Sequence, residues 1–160
     1  MTQSSYSEPL APSDVFAPEH VAMIEPGSDK PEVLRLLVET LANASRIEQE
    51  HVDAITAALL SREQVATTGM GKGLAFPHLR SHLLLNFCGA IGAALEGIDF
   101  DSLDRQPTRL VVLMLSPFEA RAEHAEILGK LCSLLSHHTL QYSLQTPRPP
   151  AELLSFLGLS

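Results

Sequence analysis

The chain is poor in basic residues, with 11 lysines and arginines against 19 aspartates and glutamates, and its net charge is -8. A nucleic-acid-binding protein normally needs a basic face for the phosphate backbone, so we exclude that class. An acidic body instead favours solubility and basic protein partners. No apolar run reaches the roughly 20 residues of a transmembrane helix, and the N-terminus lacks a basic stretch followed by an apolar core. We therefore predict a cytoplasmic protein without membrane insertion.

Cysteine is also scarce. Cys88 and Cys132 are the only two, and both stand among apolar residues, which favours buried free thiols over a disulfide or a metal site. With 160 residues and 45% hydrophobic content, the chain is sufficient for one domain with a substantial core. Residues 1–20 are rich in serine and proline without periodicity, so we predict a mobile N-terminal arm, with local docking left open, followed by a single domain over residues 21–160.

Hydrophobic periodicity predicts alternating helices and strands. Apolar residues at helical spacing predict helices over residues 31–43 and 48–60, a short helical piece over 139–144 and a last helix from Pro149-Pro150. Short apolar runs predict strands over residues 20–25, 74–76, 87–95 and 110–115. The last of these is continuously apolar, as in a strand buried on both faces. The alternation predicts an α/β (α+β) domain layered as helix, sheet and helix.

Two segments fit more than one assignment. Residues 80–84 fit either a turn or a short helix. Ser116-Pro117-Phe118-Glu119 has the form of a capping box with proline in the first helical position, which predicts a helix from about Ser116 and leaves a start near Ala120 open.

The chemistry of the chain is concentrated in residues 61–80. Gly69, Gly71 and Gly73 remove side chains from a loop, as happens where the backbone turns sharply or meets a phosphate or another protein closely. The pattern matches neither a dinucleotide fingerprint nor a Walker loop, so the alternative interpretation is that the glycines form a plain turn. Pro77 is expected to end the short strand before it, and His78 follows at the exit of that strand, where the sheet can hold a side chain within reach of solvent.

A second histidine shares an apolar helix face. His124 lies on the same face as Ile127, Leu128 and Leu131, so its side chain is expected to point inward. Both a buried, hydrogen-bonded histidine and a functional one fit this position.

One group of aspartates and one group of histidines have residue types that can bind a metal ion. Asp99, Asp101 and Asp104 could bind a cation, but they lack the glycine and final glutamate of a calcium loop, and aspartate is common in turns. His78, His82 and His124 could bind zinc only if the first two shared a helix, which Pro77 disfavours. The adjacent His137 and His138 would point to different sides of a helix end. We predict no metal.

Taken together, the motifs resemble the enzyme IIA components of the bacterial phosphoenolpyruvate-dependent phosphotransferase system, in its fructose/mannitol and nitrogen-regulatory (type 2) branch. The matching motifs, which span roughly residues 30 to 158, are Arg62-Glu63, Thr68-Gly69, Gly71-Lys72-Gly73, Leu74-Ala75-Phe76, Pro77-His78, Leu95-Glu96-Gly97-Ile98-Asp99-Phe100, Asp104-x-Gln106-Pro107, the strand at 110–115 with Ser116-Pro117, and Glu123-His124. The chain departs from the family pattern at Leu79, where a small residue is usual, and at Lys72, where an uncharged polar residue is common. Both departures bear on the choice of partner.

The resemblance implies a fold, a site and a reaction. It implies a three-layer helix-sheet-helix sandwich with a mixed sheet, and a phosphotransferase activity in which His78 is the phosphorylated residue with Arg62 and His124 as neighbours. The guanidinium of Arg62 can hold two phosphoryl oxygens, and the bare loop around Gly69, Gly71, Lys72 and Gly73 can add amide donors or contact a partner. No cofactor or metal is implied.

The implied partners are proteins of the phosphoryl relay. The donor would be the phosphohistidine protein HPr or its nitrogen-branch counterpart, and the acceptor a IIB cysteine in sugar transport. The alternative is a regulatory module whose phosphorylation changes its binding to a target protein without sugar transfer.

Overall fold

The computed structural model describes residues 9–136 and 146–160. The helices are α1 (Lys30–Asn43), α2 (Val52–Val65), α3 (Arg121–Leu135) and α4 (Pro150–Leu157). The strands are β1 (Val21–Met23), β2 (Gly69–Gly71), β3 (Leu74–Ala75), β4 (His78–Ser81), β5 (Cys88–Ile98) and β6 (Thr108–Pro117). The helical piece predicted over 139–144 and the pair His137-His138 lie outside the described residues.

The strands form one mixed sheet in the order β1-β5-β6-β3-β2, and β4 also pairs with β6. The long strands β5 and β6 are antiparallel, whereas β3 and β4 both run parallel to β6. The chain from β3 to β4 therefore follows β6 as one strand that is interrupted at Phe76-Pro77. This arrangement places β4 beside the carboxyl-terminal half of β6.

Strand β6 separates two hydrophobic cores, because successive side chains of a strand point to opposite faces. Val111, Leu113 and Leu115 pack with residues of α1 and α2, whereas the alternate residues Leu110, Val112 and Met114 pack with α3 and α4. The predicted strand buried on both faces and the three-layer sandwich with a mixed sheet are thus confirmed.

Local signals explain where α1 begins. The Asp29 side chain accepts a hydrogen bond from the Glu32 amide at 2.9 Å, and Pro31 occupies the first turn, where its missing N–H is not needed. The helix predicted over 48–60 is displaced: α2 begins at Val52 after a short 3-10 turn and continues to Val65. Arg62 therefore lies within the last turn of α2, since no glycine or proline stops the helix before that point.

Of the two helix starts that the sequence left open, the one near Ala120 is confirmed and the one at Ser116 is wrong. Ser116 and Pro117 end β6, where they pair with Arg80 and Ser81 of β4, and α3 begins only at Arg121. Arg80 accordingly belongs to a strand and not to a turn or a short helix. His78 begins β4, whereas the sequence predicted it just after a strand.

Part of the segment predicted as an N-terminal arm, residues 1–20, is packed on the domain. Val15 and Phe16 are buried, and the Gly89 amide donates to the Val15 carbonyl at 3.0 Å. The Phe16 ring occupies the space above Gly89, where a Cβ atom would lie 2.5 Å from Phe16 Cε1. The domain thus includes residues from at least Val15.

Both cysteines are free, as predicted, although only Cys88 is buried and Cys132 is partly exposed. Within residues 9–136 and 146–160, no helix is long and apolar enough to cross a membrane. The cytoplasmic location stays a prediction.

Candidate functional site

His78 is held by the interrupted strand along β6. The Pro77 carbonyl accepts from the Met114 amide at 3.0 Å, and His78 then pairs with Met114 in the β4–β6 ladder. Proline is tolerated here because the hydrogen bond uses its carbonyl as the acceptor and needs no N–H, which proline lacks. The imidazole is thereby positioned at the edge of the sheet by backbone contacts on both sides of Pro77.

The His78 ring has a defined proton position. Its Nδ1 lies 2.8 Å from the Phe76 carbonyl oxygen. A carbonyl only accepts, so Nδ1 carries the hydrogen and the lone pair of the neutral ring is on Nε2. Burial lowers the pKa of His78, and the positive charge of Arg62 lowers it further, against the opposing effects of the Phe76 bond and of Glu63. The ring is therefore neutral near neutral pH, with its lone pair on Nε2.

His124 lies beside His78 in the first turn of α3. The centroids of the two rings are 5.5 Å apart with an angle of 51° between the ring planes. His124 is buried, and its Nδ1 is hydrogen-bonded to the Ser116 hydroxyl. Burial, together with the nearby His78 and Arg80, lowers the pKa of His124 to about 4. The interpretation of His124 as a buried, hydrogen-bonded histidine is confirmed, and its ring also lies beside His78. A functional role for His124 stays a prediction.

Arg62 reaches the same place from the end of α2. Its Nη1 donates to the Ala66 carbonyl at 3.0 Å, which anchors one side of the guanidinium. Arg62, His78 and His124 line a cleft of 390 Å³ together with Leu79, Arg80, Arg121 and Ala125. The structure thus brings the three residues predicted for catalysis into one cleft.

Two arginines of this cleft were not identified from the sequence. Arg80 stands two residues after His78 on β4, so both side chains are on one face of the sheet. Its Nη1 donates to the Phe118 carbonyl at 2.7 Å and its guanidinium lies 5.1 Å from the centre of the Phe118 ring. Arg121 is the first residue of α3. The spacing of two would have indicated Arg80 if residues 78–81 had been predicted as a strand.

Glu63, the neighbour of Arg62, is held by other elements. Its carboxylate accepts from the Lys30 ammonium at 2.9 Å, from the Thr68 amide at 3.1 Å and from the Thr68 hydroxyl. These bonds connect the end of α2 with the start of α1 and with the segment before β2. Glu63 therefore stabilises the helix turn that carries Arg62.

The glycine-rich loop lies away from the cleft, in the β2–β3 hairpin. Leu74 of β3 pairs with Leu110 of β6, whereas His78 pairs with Met114. At the usual strand rise, this difference along β6 corresponds to about 13 Å. The structure does not place Gly69, Gly71, Lys72 or Gly73 in the lining of the cleft.

Two of the loop amides expected to donate to a phosphoryl group have partners within the protein. The Gly71 amide donates to the Ser102 hydroxyl at 3.0 Å and the Lys72 amide to the Asp104 carboxylate at 2.9 Å. Lys72 and Gly73 have φ values of 56° and 84°, as a type I′ turn requires at its two central residues. A plain turn accounts for this loop, and we assign no phosphoryl donor to it.

The two metal interpretations find no support. The Asp99 carboxylate accepts from the Asp101 amide at 3.0 Å, which is an ordinary turn contact. His82 is exposed, stacks on Phe118 with ring centroids 4.2 Å apart and lies 3.3 Å from the Glu119 carboxylate. Over the described ranges, no three histidine, cysteine, aspartate or glutamate side chains are grouped to hold a metal ion.

Comparison with known proteins gives matches along most of the chain. Residues 14–158 match the family model described as "Phosphoenolpyruvate-dependent sugar phosphotransferase system, EIIA 2". The chain is 32% identical over 126 residues to the fructose-specific EIIA component of Haloferax volcanii, covering 79% of this chain and 80% of that protein. It is 31% identical over 147 residues to a nitrogen regulatory protein of Bradyrhizobium diazoefficiens, covering 92% and 94%. The crystal structure of nitrogen regulatory protein IIA-Ntr from Neisseria meningitidis superposes with a TM-score of 0.77 at 29% identity, covering 91% of this chain and 97% of that one.

Proposed function

The chain belongs to the EIIA type 2 family of the phosphoenolpyruvate-dependent sugar phosphotransferase system, and from that membership we propose that it is a phosphocarrier in which His78 receives and passes on a phosphoryl group. The donor is a phosphorylated HPr-like protein, and the acceptor is the cysteine of a IIB component in sugar uptake. His78, Arg62 and His124 carry the reaction.

The hydrogen bond from His78 Nδ1 to the Phe76 carbonyl is the observation that supports this proposal most directly. It leaves the Nε2 lone pair available to attack the phosphorus of the donor's phosphohistidine. A new N–P bond forms at His78 as the donor's N–P bond breaks, and the electron pair of the broken bond returns to the donor's imidazole. The positive charge that develops on the His78 ring is stabilised through Nδ1–H by the Phe76 oxygen.

The cleft supplies positive charge for the moving group. Phosphoryl transfer passes through a loose transition state, so a protein accelerates it mainly by positioning and by stabilising the equatorial oxygens. Among the residues that the structure describes, the guanidinium groups of Arg62, Arg80 and Arg121 line the cleft, and no carboxylate does. Arg62 is the one whose charge lowers the pKa of His78, so we assign it to the phosphoryl oxygens.

Labelling from phosphoenolpyruvate tests the assignment. With enzyme I, HPr and labelled phosphoenolpyruvate, the wild-type protein and a His51→Ala control at the start of α2 should incorporate one phosphoryl group, and His78→Ala none. The bond should be lost in acid and survive alkali, as a phosphoramidate on imidazole does. Normal labelling of folded His78→Ala would refute the assignment.

A regulatory phospho-switch is the second candidate. Two of the similar proteins described above are named as nitrogen regulatory proteins, and one of them is similar over 92% of this chain. The two functions differ in what the phosphorylated protein does next. Transfer of label to the cysteine of a IIB component from the same genome supports the relay. Failure of transfer to every such IIB, with a target protein that binds only one phosphorylation state, supports the switch.

A further inference from the structure

Ser116 lies beneath the cleft, between the two strands and the helix that form it. It is fully buried on β6, pairs in register with Arg80 of β4, and follows Met114 on the face covered by α3. Its hydroxyl is hydrogen-bonded to Nδ1 of His124. The capping-box pattern predicted this side chain as a helix cap, which the later start of α3 excludes, and the family resemblance implies no role for it.

The environment of Ser116 decides which atom donates. If His124 Nδ1 carried the hydrogen, the serine O–H would itself need an acceptor, and among the described residues the hydroxyl has His124 as its hydrogen-bond partner. A buried donor without an acceptor costs about 1–3 kcal/mol. If the hydroxyl donates to the Nδ1 lone pair, both groups are satisfied, since a spare lone pair on the oxygen is tolerated more readily. The arrangement therefore favours the His124 tautomer with its hydrogen on Nε2.

We propose that Ser116 is a positioning residue that holds His124 as the Nε2–H tautomer, so that the cleft contains two imidazoles in opposite tautomers. His78, bonded to the Phe76 carbonyl, offers a lone pair at Nε2 as nucleophile. His124, bonded to Ser116, offers an Nε2–H donor to a phosphoryl oxygen. The catalytic consequence rests on the proposed phosphocarrier function, whereas the tautomer assignment itself does not.

The tautomer matters because, in the unphosphorylated protein, protonation does not provide the donor instead. The pKa of His124 is lowered to about 4, so the ring is neutral at physiological pH and has a single hydrogen. In the opposite tautomer, a nitrogen lone pair would face the oxygens of a dianionic phosphoryl group and repel them. A hydroxyl partner at position 116 thus determines whether His124 attracts or repels the transferred group.

Nitrogen NMR of the histidine-labelled, unphosphorylated protein tests the tautomers directly. Long-range proton–nitrogen correlations should show the hydrogen on Nε2 in His124 and on Nδ1 in His78. Ser116→Ala should introduce the Nδ1–H form of His124 and slow phosphoryl uptake from HPr about tenfold, within the 10²–10³-fold limit for complete loss of a transition-state donor. Ser116→Thr keeps the hydroxyl and should keep the tautomer.

Thr108→Val is the matched control. Thr108 is on the same strand and the same face as Ser116, is equally buried, and its hydroxyl has no hydrogen-bond partner within residues 9–136 and 146–160. Its removal should change neither the His124 signals nor the transfer rate.

Three results would overturn the proposal. These are an Nδ1–H tautomer of His124 in the wild type, a folded Ser116→Ala protein with unchanged tautomer and rate, or an equal response to Thr108→Val. If Ser116→Ala does not fold, the tautomer of His124 in the wild type and in Ser116→Thr still tests the proposal. Correct tautomers in a protein that takes no phosphoryl group from any HPr-like donor would support the tautomer assignment and reject the proposed function instead.

Discussion

Replacing Arg62 with lysine separates the charge of this residue from its geometry. Lysine keeps the positive charge at the end of α2 but loses the planar fork that can hold two phosphoryl oxygens at once. One N–H of the Arg62 guanidinium is used on the Ala66 carbonyl, so the remaining donors are available for the fork. We therefore expect the phosphoryl group to be less well held in the transition state, while the fold stays intact.

The expected size of this effect follows from the loss of one oriented donor. Removing such a donor costs about 3 kcal/mol of transition-state stabilisation. At 1.36 kcal/mol for each factor of ten, this corresponds to a transfer rate about 150-fold lower. Because Arg62 is only half-buried, the free energy of unfolding should change by less than about 0.5 kcal/mol.

The assay is single-turnover transfer from labelled, phosphorylated HPr, followed by rapid quench in alkali, which preserves the phosphohistidine. Arg35→Lys is the control, because Arg35 lies on the exposed surface of α1, paired with Glu39 and Asp53. It should transfer at the wild-type rate. A folded Arg62→Lys protein within twofold of the wild-type rate would show that Arg62 does not hold the phosphoryl oxygens.

Three further predictions concern His124 and the Lys30–Glu63 ion pair. His124→Ala should slow transfer about a hundredfold and also reduce stability, since it removes a buried, hydrogen-bonded ring; an unchanged rate in the folded fraction would leave His124 a purely structural residue. The pKa of His124 is about 4 in the folded protein against 6.5 for the ordinary group, so the unfolded chain binds the proton first. The contribution of His124 to the free energy of unfolding is therefore complete above pH 6.5 and should fall by about 3 kcal/mol as the pH drops toward 4. His78 adds to this loss in the same direction, because its pKa is lowered as well. Urea unfolding at pH 7.5 and 4.5 should show a smaller loss of unfolding free energy in His124→Asn than in the wild type. Equal losses in the two proteins would contradict the lowered pKa of His124. Lys30→Met leaves the buried carboxylate of Glu63 without its cation and should lower the free energy of unfolding by about 3 kcal/mol, part of which Glu63→Gln should restore in the double variant; additive losses would show that the pair is not coupled.

Local signals were sufficient for much of the fold. The proline in the first turn of α1, the double proline at the start of α4 and the apolar run of β6 are properties of short segments, and the structure has an element at each. The order of motifs indicated the family, and the motifs also selected His78, Arg62 and His124, which the structure places in one cleft. Their catalytic roles stay proposals.

Strand pairing decided the segments where local signals competed. Ser116 to Glu119 carries a good helix-start pattern, yet Ser116 and Pro117 are taken into the ladder with β4, whose hydrogen bonds come from residues far away in sequence. The same pairing makes residues 78–81 a strand and directs Arg80 to the side of His78. A pattern within four residues cannot encode which strand will lie beside it.

The sequence by itself determined the layered α/β fold and the family, and it selected His78 as the candidate for phosphorylation, because each rests on periodicity or on a contiguous motif. Only the tertiary structure decided that the glycine loop is remote from His78, that Arg80 and Arg121 share its cleft, and that Ser116 bonds His124. The physical reason is distance along the chain. The cleft joins the end of α2, the edge strand β4 and the start of α3, and the orientation of each side chain there is set by packing and hydrogen bonds between elements that are separate in the sequence.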